Sequence, residues 1–425
     1  MTNKPLYLKN GTYINYKTLD FSKGDFLVEK GSKGKIRPVE FIPDNSEILD
    51  CSGKFITRSF VNSHHHIYSA LALGMPAPEK QPTDFYEILK YIWWKLDRSL
   101  TNEMIEFSAL TTAIASIRNG VTFVVDHHSS PFSINGSLDT IERSLSKCKV
   151  SSLLCYELSD RDGESHTSEA LDETEEYLKS GKHGLVGLHA SFTVSEKLLG
   201  KAVSIAEQYG TGIHIHAAED QVDQEITQNK YGKSVIERLS NSGALSLKRS
   251  ILAHCIHIDS TERNILANAG SWIVQNPESN LNNGVGIFDP EKLGKRTLLG
   301  TDGMNSNMLG SARSAFLTGN LSGGNSPADI YNRLRNGHNY LESNNFSGDG
   351  DNNLIILDYR PGTDFNKDNF YSHFIYGISG NDIDSVISGG DIVMKEKKIL
   401  HVDESSILEH SSELSNILWN RMKEI

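Results

Sequence analysis

The sequence predicts an α/β chain: a (β/α)8 TIM barrel flanked by a small β-sandwich domain built from both termini. Three observations carry this. From about residue 56, short apolar runs alternate with segments of helical period until eight strand-like runs have passed. Before that alternation, and again after it, short strand-like runs are separated by turn residues with no crossover helix between them. No G-x-G-x-x-G follows any of the strands, which removes the main signature of the competing doubly wound sheet.

Taken in order, Leu6-Tyr7-Leu8, Thr12-Tyr13-Ile14, residues 25–29 and Ile48-Leu49-Asp50 read as short antiparallel strands. Asn10-Gly11, Lys23-Gly24 and the Gly31–Gly34 run read as their turns. The barrel strands are expected at residues 60–64, 121–126, 152–157, 185–189, 213–216, 251–254, 272–274 and 297–300. Helices are expected at residues 101–118, 138–147, 168–179, 195–209, 234–239 and 260–269. Residues 83–100 form an extra amphipathic helix, read as a cap near the mouth of the barrel. It carries Trp93 and Trp94, of which helical spacing lets only one face a pocket. Helical stretches follow Asp302, and the Asn344–Asn352 run is a linker. Strands at 353–357, 384–387 and 391–394 complete the small domain, and residues 404–422 form a terminal helix. The expected division is 1–55 with 346–403 as the β domain, 56–345 as the barrel and 404–425 as the terminal helix.

Composition narrows the function. With 425 residues, 38% hydrophobic and 23% charged, the chain can bury a large core. A net charge of −12 without a basic patch argues against a nucleic-acid partner. Cys51, Cys148, Cys155 and Cys255 form no C-x-x-C pair, which suits a reducing compartment. The N-terminus lacks an apolar signal core, and the longest apolar stretch, Ala109 to Val125, is interrupted by Arg118, Asn119 and Gly120. A cytoplasmic homodimer with no membrane partner is the expected setting.

The chemistry concentrates at strand ends. In Ser63-His64-His65-His66, at the end of the first barrel strand, His64 and His66 point one way and His65 the other. A matching pair, His214 and His216, ends the fifth strand and is followed by Glu219. His254 ends the sixth strand, and Asp302 follows the eighth. A lone histidine is usually a satisfied core or surface residue, but several ligand-type residues at matching strand ends describe a metal site. The fourth strand ends in His189 and has no lysine to bridge a second metal, so one divalent ion is expected. Zinc is the first choice and iron also suits the donors. The H-x-E…P-C-x-x-C signature of the other zinc deaminase fold is absent.

At this point the chain resembles the amidohydrolase superfamily, in its cytosine deaminase and chlorohydrolase branch. The resemblance runs through VNSHHHIYSALALGM, DHHSSP, LCYELSDRDG, GLHASFTVS, HIHAAED, AHCIHID, NPESNLNNGVG and GTDGM. It implies that His64, His66, His216 and Asp302 are metal ligands. It further implies that Glu219 is the proton shuttle, that His254 contacts the attacking water or substrate oxygen, and that His189 contacts substrate. One of His127 and His128 is expected in the pocket, with His128 taken as the substrate contact. Arg161, in Asp160-Arg161-Asp162, is either a solvated charge or a grip on a substrate carboxylate or carbonyl. His65 and His257 read as packing or support residues, and Asn276 and Asn280 as shaping the loop around Pro277. The implied activity is hydrolytic deamination of a small amino-substituted N-heterocycle by a metal-activated water. Hydrolysis of a hydantoin-like cyclic amide is the alternative, and a non-catalytic barrel used for assembly is the alternative of another class.

Overall fold

The computed structural model describes residues 4–425. Eight parallel strands pair in chain order. They are β1 (Phe60–His65), β2 (Val121–His128), β3 (Ser151–Leu158), β4 (Val186–Ala190), β5 (Ile213–Ala217), β6 (Ile251–His254), β7 (Trp272–Gln275) and β8 (Thr297–Leu299). All eight residues of β2 are buried, as a strand covered by helices on one face and a packed lumen on the other must be. The ring closes just past β8. Thr301 and Asp302 donate their backbone N–H groups to the His64 carbonyl at 3.0 Å, and the His66 N–H reaches the Asp302 carbonyl at 3.3 Å. Gly300 permits this approach, because a Cβ there would lie 2.6 Å from Asn276 Oδ1 and 2.9 Å from the His64 carbonyl.

The crossover helices start where short polar side chains can cap them. Thr101 accepts from the Met104 N–H, Ser195 from Leu198, and Ser234 and Asp259 form capping boxes with Glu237 and Glu262. One helix, Glu164–Lys179, starts ahead of the predicted Ser168 because its first turn is polar and shows no apolar period. The cap insertion is a helix over Phe85–Ser99, but not a uniform one. A π-helical stretch, Leu89–Trp93, separates two α-helical segments. The wider turn changes the angular phase along the helix, so Trp93 and Trp94 both reach the pocket rather than one alone.

The termini build one mixed sheet. Its central strand, Phe55–Arg58, runs parallel to Leu6–Ile14 and antiparallel to Leu354–Leu357. Leu6–Ile14 is a single strand: the Asn10-Gly11 step expected as a turn is a bulge, with Asn10 at φ 58°. Alternation divides the sheet's apolar residues between two cores. Leu354 and Ile356 join Leu6, Leu8 and Ile56, whereas Ile355 and Leu357 face the core shared with the barrel helices. Arg58, buried at the end of the central strand, pairs with Asp349 at 3.1 Å and Asp351 at 2.5 Å. The terminal helix, Glu404–Glu424, returns to the cap: Trp419 donates to the Leu71 carbonyl and Arg421 to that of Ser99. Among the described residues, no helix is long and apolar enough to cross a membrane.

Candidate metal centre and active-site pocket

The two histidines of β1 part from His65 as alternation requires. The His65 ring turns away, with Nδ1 2.6 Å from the Asp302 carbonyl, and so supports the backbone of that acid. His64 and His66 face the lumen. There His66 Nε2 lies 2.9 Å from Asp302 Oδ1 and 3.0 Å from His216 Nε2, and His64 Nε2 lies 3.2 Å from Asp302 Oδ1. The four ligand-type atoms fall within 4.8 Å of one another.

The second nitrogens decide what this cluster can hold. His66 Nδ1 lies 2.7 Å from the His127 carbonyl, and His216 Nδ1 lies 2.8 Å from that of His189. A carbonyl only accepts, so each Nδ1 carries the proton and the two Nε2 lone pairs point at each other. Buried lone pairs converging on a carboxylate oxygen repel unless a cation lies among them. Three imidazoles and one carboxylate are a donor set suited to a divalent transition metal. Without metal, a proton supplies the charge. Burial alone would lower His66, but Asp302 outweighs it and carries the imidazole up to about 9. Burial pushes His64 down to about 3 and His216 well below its usual value.

Strained backbone aims the remaining reactive groups. Ala218, His254 and Asp302, at the ends of β5, β6 and β8, have φ of 48°, 72° and 54°. Non-glycine residues hold such angles at a cost of about 1–3 kcal/mol each. Burial, and then the charge of Asp302, raise the Glu219 carboxyl well above its usual value. Burial lowers His254 to about 4, so the ring is neutral. Asn280 Nδ2 lies 2.8 Å from His254 Nδ1, which leaves the proton on Nε2. That Nε2 has no hydrogen-bond partner among the described residues and sits 3.4 Å from Glu219 Oε2 and 4.0 Å from Asp302 Oδ2.

One short helix, Pro277–Asn283 after β7, touches all three reactive groups. Ser279 Oγ donates to Asp302 Oδ2, Asn280 meets His254, and Asn283 Nδ2 lies 3.5 Å from Glu219 Oε1. Behind the cluster, His64 Nδ1 is 2.9 Å from His214 Nε2, and His214 Nδ1 is 3.7 Å from Cys155 Sγ.

Above these groups opens a pocket walled by Tyr68, Phe85, Trp93, Trp94 and Phe192. His189, Glu219, Asp302 and Arg161 line it as the sequence reading expects. Neither His127 nor His128 does, so the expected His128 substrate contact is corrected. Strand β2 continues through both residues. His127 therefore stops beneath the pocket, with Nε2 3.2 Å from the Leu188 and His214 carbonyls. His128 faces out of the lumen, with Nε2 2.9 Å from Ser130 Oγ. Arg161 is not a solvated charge; its guanidinium lies against Asp97, Glu157 and Asp162. Three lining acids were missed, among them Asp223 in the helix after β5. Glu157 ends β3 and could have been found by the same strand-end rule, whereas nothing marks Asp97 in the cap helix.

A barrel with its donor cluster, acid and open pocket at the C-terminal strand ends is that of a metal-centred hydrolase. The chain belongs to the amidohydrolase family, whose description as a sequence family matches residues 55–333, and it is a hydrolase of carbon–nitrogen bonds. It is similar to the 5'-deoxyadenosine deaminase of Methanocaldococcus jannaschii, 28% identical over 431 residues that cover 93% of this chain and 96% of that protein. The 5-methylthioadenosine/S-adenosylhomocysteine deaminase of Desulforudis audaxviator is 26% identical over 446 residues, covering 96% and 97%. Among solved structures, a zinc-bound adenosine deaminase from Xanthomonas campestris superposes with a TM-score of 0.82 over 99% of both chains at 17% identity, a likeness of fold.

Proposed function

We propose that the chain is a mononuclear metal-dependent aminohydrolase that deaminates an amino-substituted N-heterocycle, with the adenine ring of a nucleoside as first candidate. The carrying observation is that His254 Nε2 lies 3.4 Å from Glu219 Oε2 and 4.0 Å from Asp302 Oδ2, so that both groups adjoin the acid of the His64, His66 and His216 cluster beside an aromatic-walled pocket. His64, His66, His216 and Asp302 would hold the ion, zinc or iron. When bound, such an ion lowers the pKa of a coordinated water toward about 7.

The protein's own groups then account for the protons. Glu219, kept protonated by burial, gives its proton to a ring nitrogen as the water oxygen adds to the amino-bearing carbon. Asp302 takes the proton that the water sheds. His254 donates Nε2–H to the oxygen as negative charge develops on it. In the second half Asp302 passes the proton it holds to the amino group, while Glu219, now a carboxylate, takes the remaining hydroxyl proton, so both acids return to their starting states. The carbon–nitrogen bond breaks, ammonia leaves and the ring keeps a carbonyl. Flat rings suit the walls of Trp93, Phe192 and Tyr68, and the deaminase names of the relatives support the adenine ring.

The test is ammonia release from adenine nucleosides by zinc-loaded protein, with metal measured by elemental analysis. One equivalent of metal and ammonia in step with substrate loss are expected. Glu219→Gln should keep the metal and lose about 10²–10⁴-fold in turnover. Two equivalents of metal, or ring opening without ammonia, would overturn the reading.

A further inference from the structure

The pocket's charge says which substituent the ring can carry. Five acids line it: Asp97, Glu157, Glu219, Asp223 and Asp302. Arg161 is the one guanidinium or ammonium group among the lining residues, and three carboxylates already pair with it. One of its Nη2 contacts is Asp97, close enough for a hydrogen bond. The same nitrogen lies 3.4 Å from Glu157 Oε1 and 3.0 Å from Ser129 Oγ, while Nε lies 3.1 Å from Asp162 Oδ2. The Trp94 ring covers its carbon at 5.4 Å. All four charged side chains are nine-tenths or more buried, so water screens them little.

An anion entering this pocket meets no free cation. To reach Arg161 from the pocket it must displace Asp97 or Glu157, neither of which has a second guanidinium partner among the described residues. Leaving a buried carboxylate unpaired is costly, and juxtaposing like charges adds to that cost. The rest of the wall is aromatic or aliphatic and gains by covering apolar surface.

We infer that the substrate carries no carboxylate or phosphate, its substituent being small, apolar and uncharged. The inference rests on the proposed deamination and narrows it. Among the compounds in the relatives' names it favours 5'-deoxyadenosine and methylthioadenosine over S-adenosylhomocysteine, whose amino-acid tail bears a carboxylate. Arg161 then acts as a specificity-determining residue through the acids it neutralises, since it leaves the substituent side of the pocket without a free charge of either sign.

The experiment measures kcat/KM of the zinc-loaded enzyme on matched pairs: methylthioadenosine against S-adenosylhomocysteine, and adenosine against adenosine 5'-monophosphate. Each anionic member is expected to be at least a hundredfold poorer. Asp97→Asn, which frees the guanidinium from its closest acid, should narrow both ratios by at least tenfold. An anionic member within threefold of its neutral partner would overturn the inference while leaving deamination standing. If no adenine compound releases ammonia, the proposed ring is wrong. The charge preference is then read from thermal stabilisation of the zinc-loaded protein by the same pairs, where only the neutral members should raise Tm. Stabilisation by the anionic members, or by none, overturns it.

Discussion

Ser279→Ala tests whether the helix after β7 tunes the metal centre. Ser279 Oγ donates to Asp302 Oδ2, the carboxylate oxygen turned away from the His64 and His66 nitrogens. It is 5% exposed, so no bulk water replaces the hydroxyl once it is gone. The lost bond is charge-assisted and worth about 1.5–3 kcal/mol. Asp302 is also free to rotate its Oδ1 out of the cluster, since its nearest other neighbour at Oδ2 is His254 at 4.0 Å. A loss of about 1.5–3 kcal/mol is a factor of about 10–150 in the metal dissociation constant, in the range that outer-shell partners typically contribute. Competition with a chromophoric zinc chelator measures this without a substrate. Ser279→Thr should recover most of the affinity, and Asn280→Ala, which touches His254 instead, should leave it unchanged. An affinity for Ser279→Ala within twofold of the parent would refute the assignment of Asp302 as a ligand held by this helix.

Three further outcomes are expected. His214→Phe removes the acceptor behind His64 Nδ1 and should weaken zinc binding about 10–100-fold in the same competition assay. Arg58→Met leaves Asp349 buried without its guanidinium and should cost about 3 kcal/mol, or about 3–4 °C in a chain of this length, by calorimetry at a fixed scan rate. Burial raises the Asp349 carboxyl, but the charges of His338 and Arg58 outweigh it and hold the group below its usual range. That stabilisation is therefore present above pH about 4 and is lost as the medium becomes more acidic, so parent and variant should converge in acid. Gly300→Ala forces a methyl against Asn276 and His64 where the ring closes, and should lower both Tm and metal content.

The barrel was legible because its signals are local. Period-2 alternation placed His64 and His66 together and His65 apart, and apolar runs located all eight strands to within a residue or two. Layering inside the barrel was not legible. His214 and His216 look like a second ligand pair, yet only His216 reaches the cluster, because two residues along a strand is a full layer of the lumen. His66 escapes that rule because β1 ends at His65 and the chain is already turning. The same difference misplaced His128, since β2 runs on where β1 stops. Glu219 and Asp302 needed left-handed backbone beside or at them, for which Ala218 and Asp302 offer no sequence cue. The π-helical stretch likewise left no mark in the pattern of residues 83–100.

The placement of strand Phe55–Arg58 has a consequence for biosynthesis. One of its edges pairs with Leu6–Ile14, which has already been made, and the other waits for Leu354–Leu357, about 300 residues later. At about 5–20 residues per second, that edge stays open for about 15–60 s after it leaves the ribosome. Throughout that interval Ile56 and its neighbours offer an unsatisfied, apolar ladder to any other extended chain. Crowded expression should therefore penalise this protein through the half-made sheet rather than through the barrel. Slowing initiation, or supplying a chaperone that shields strand edges, should raise its soluble yield more than any stabilisation of the finished metal centre.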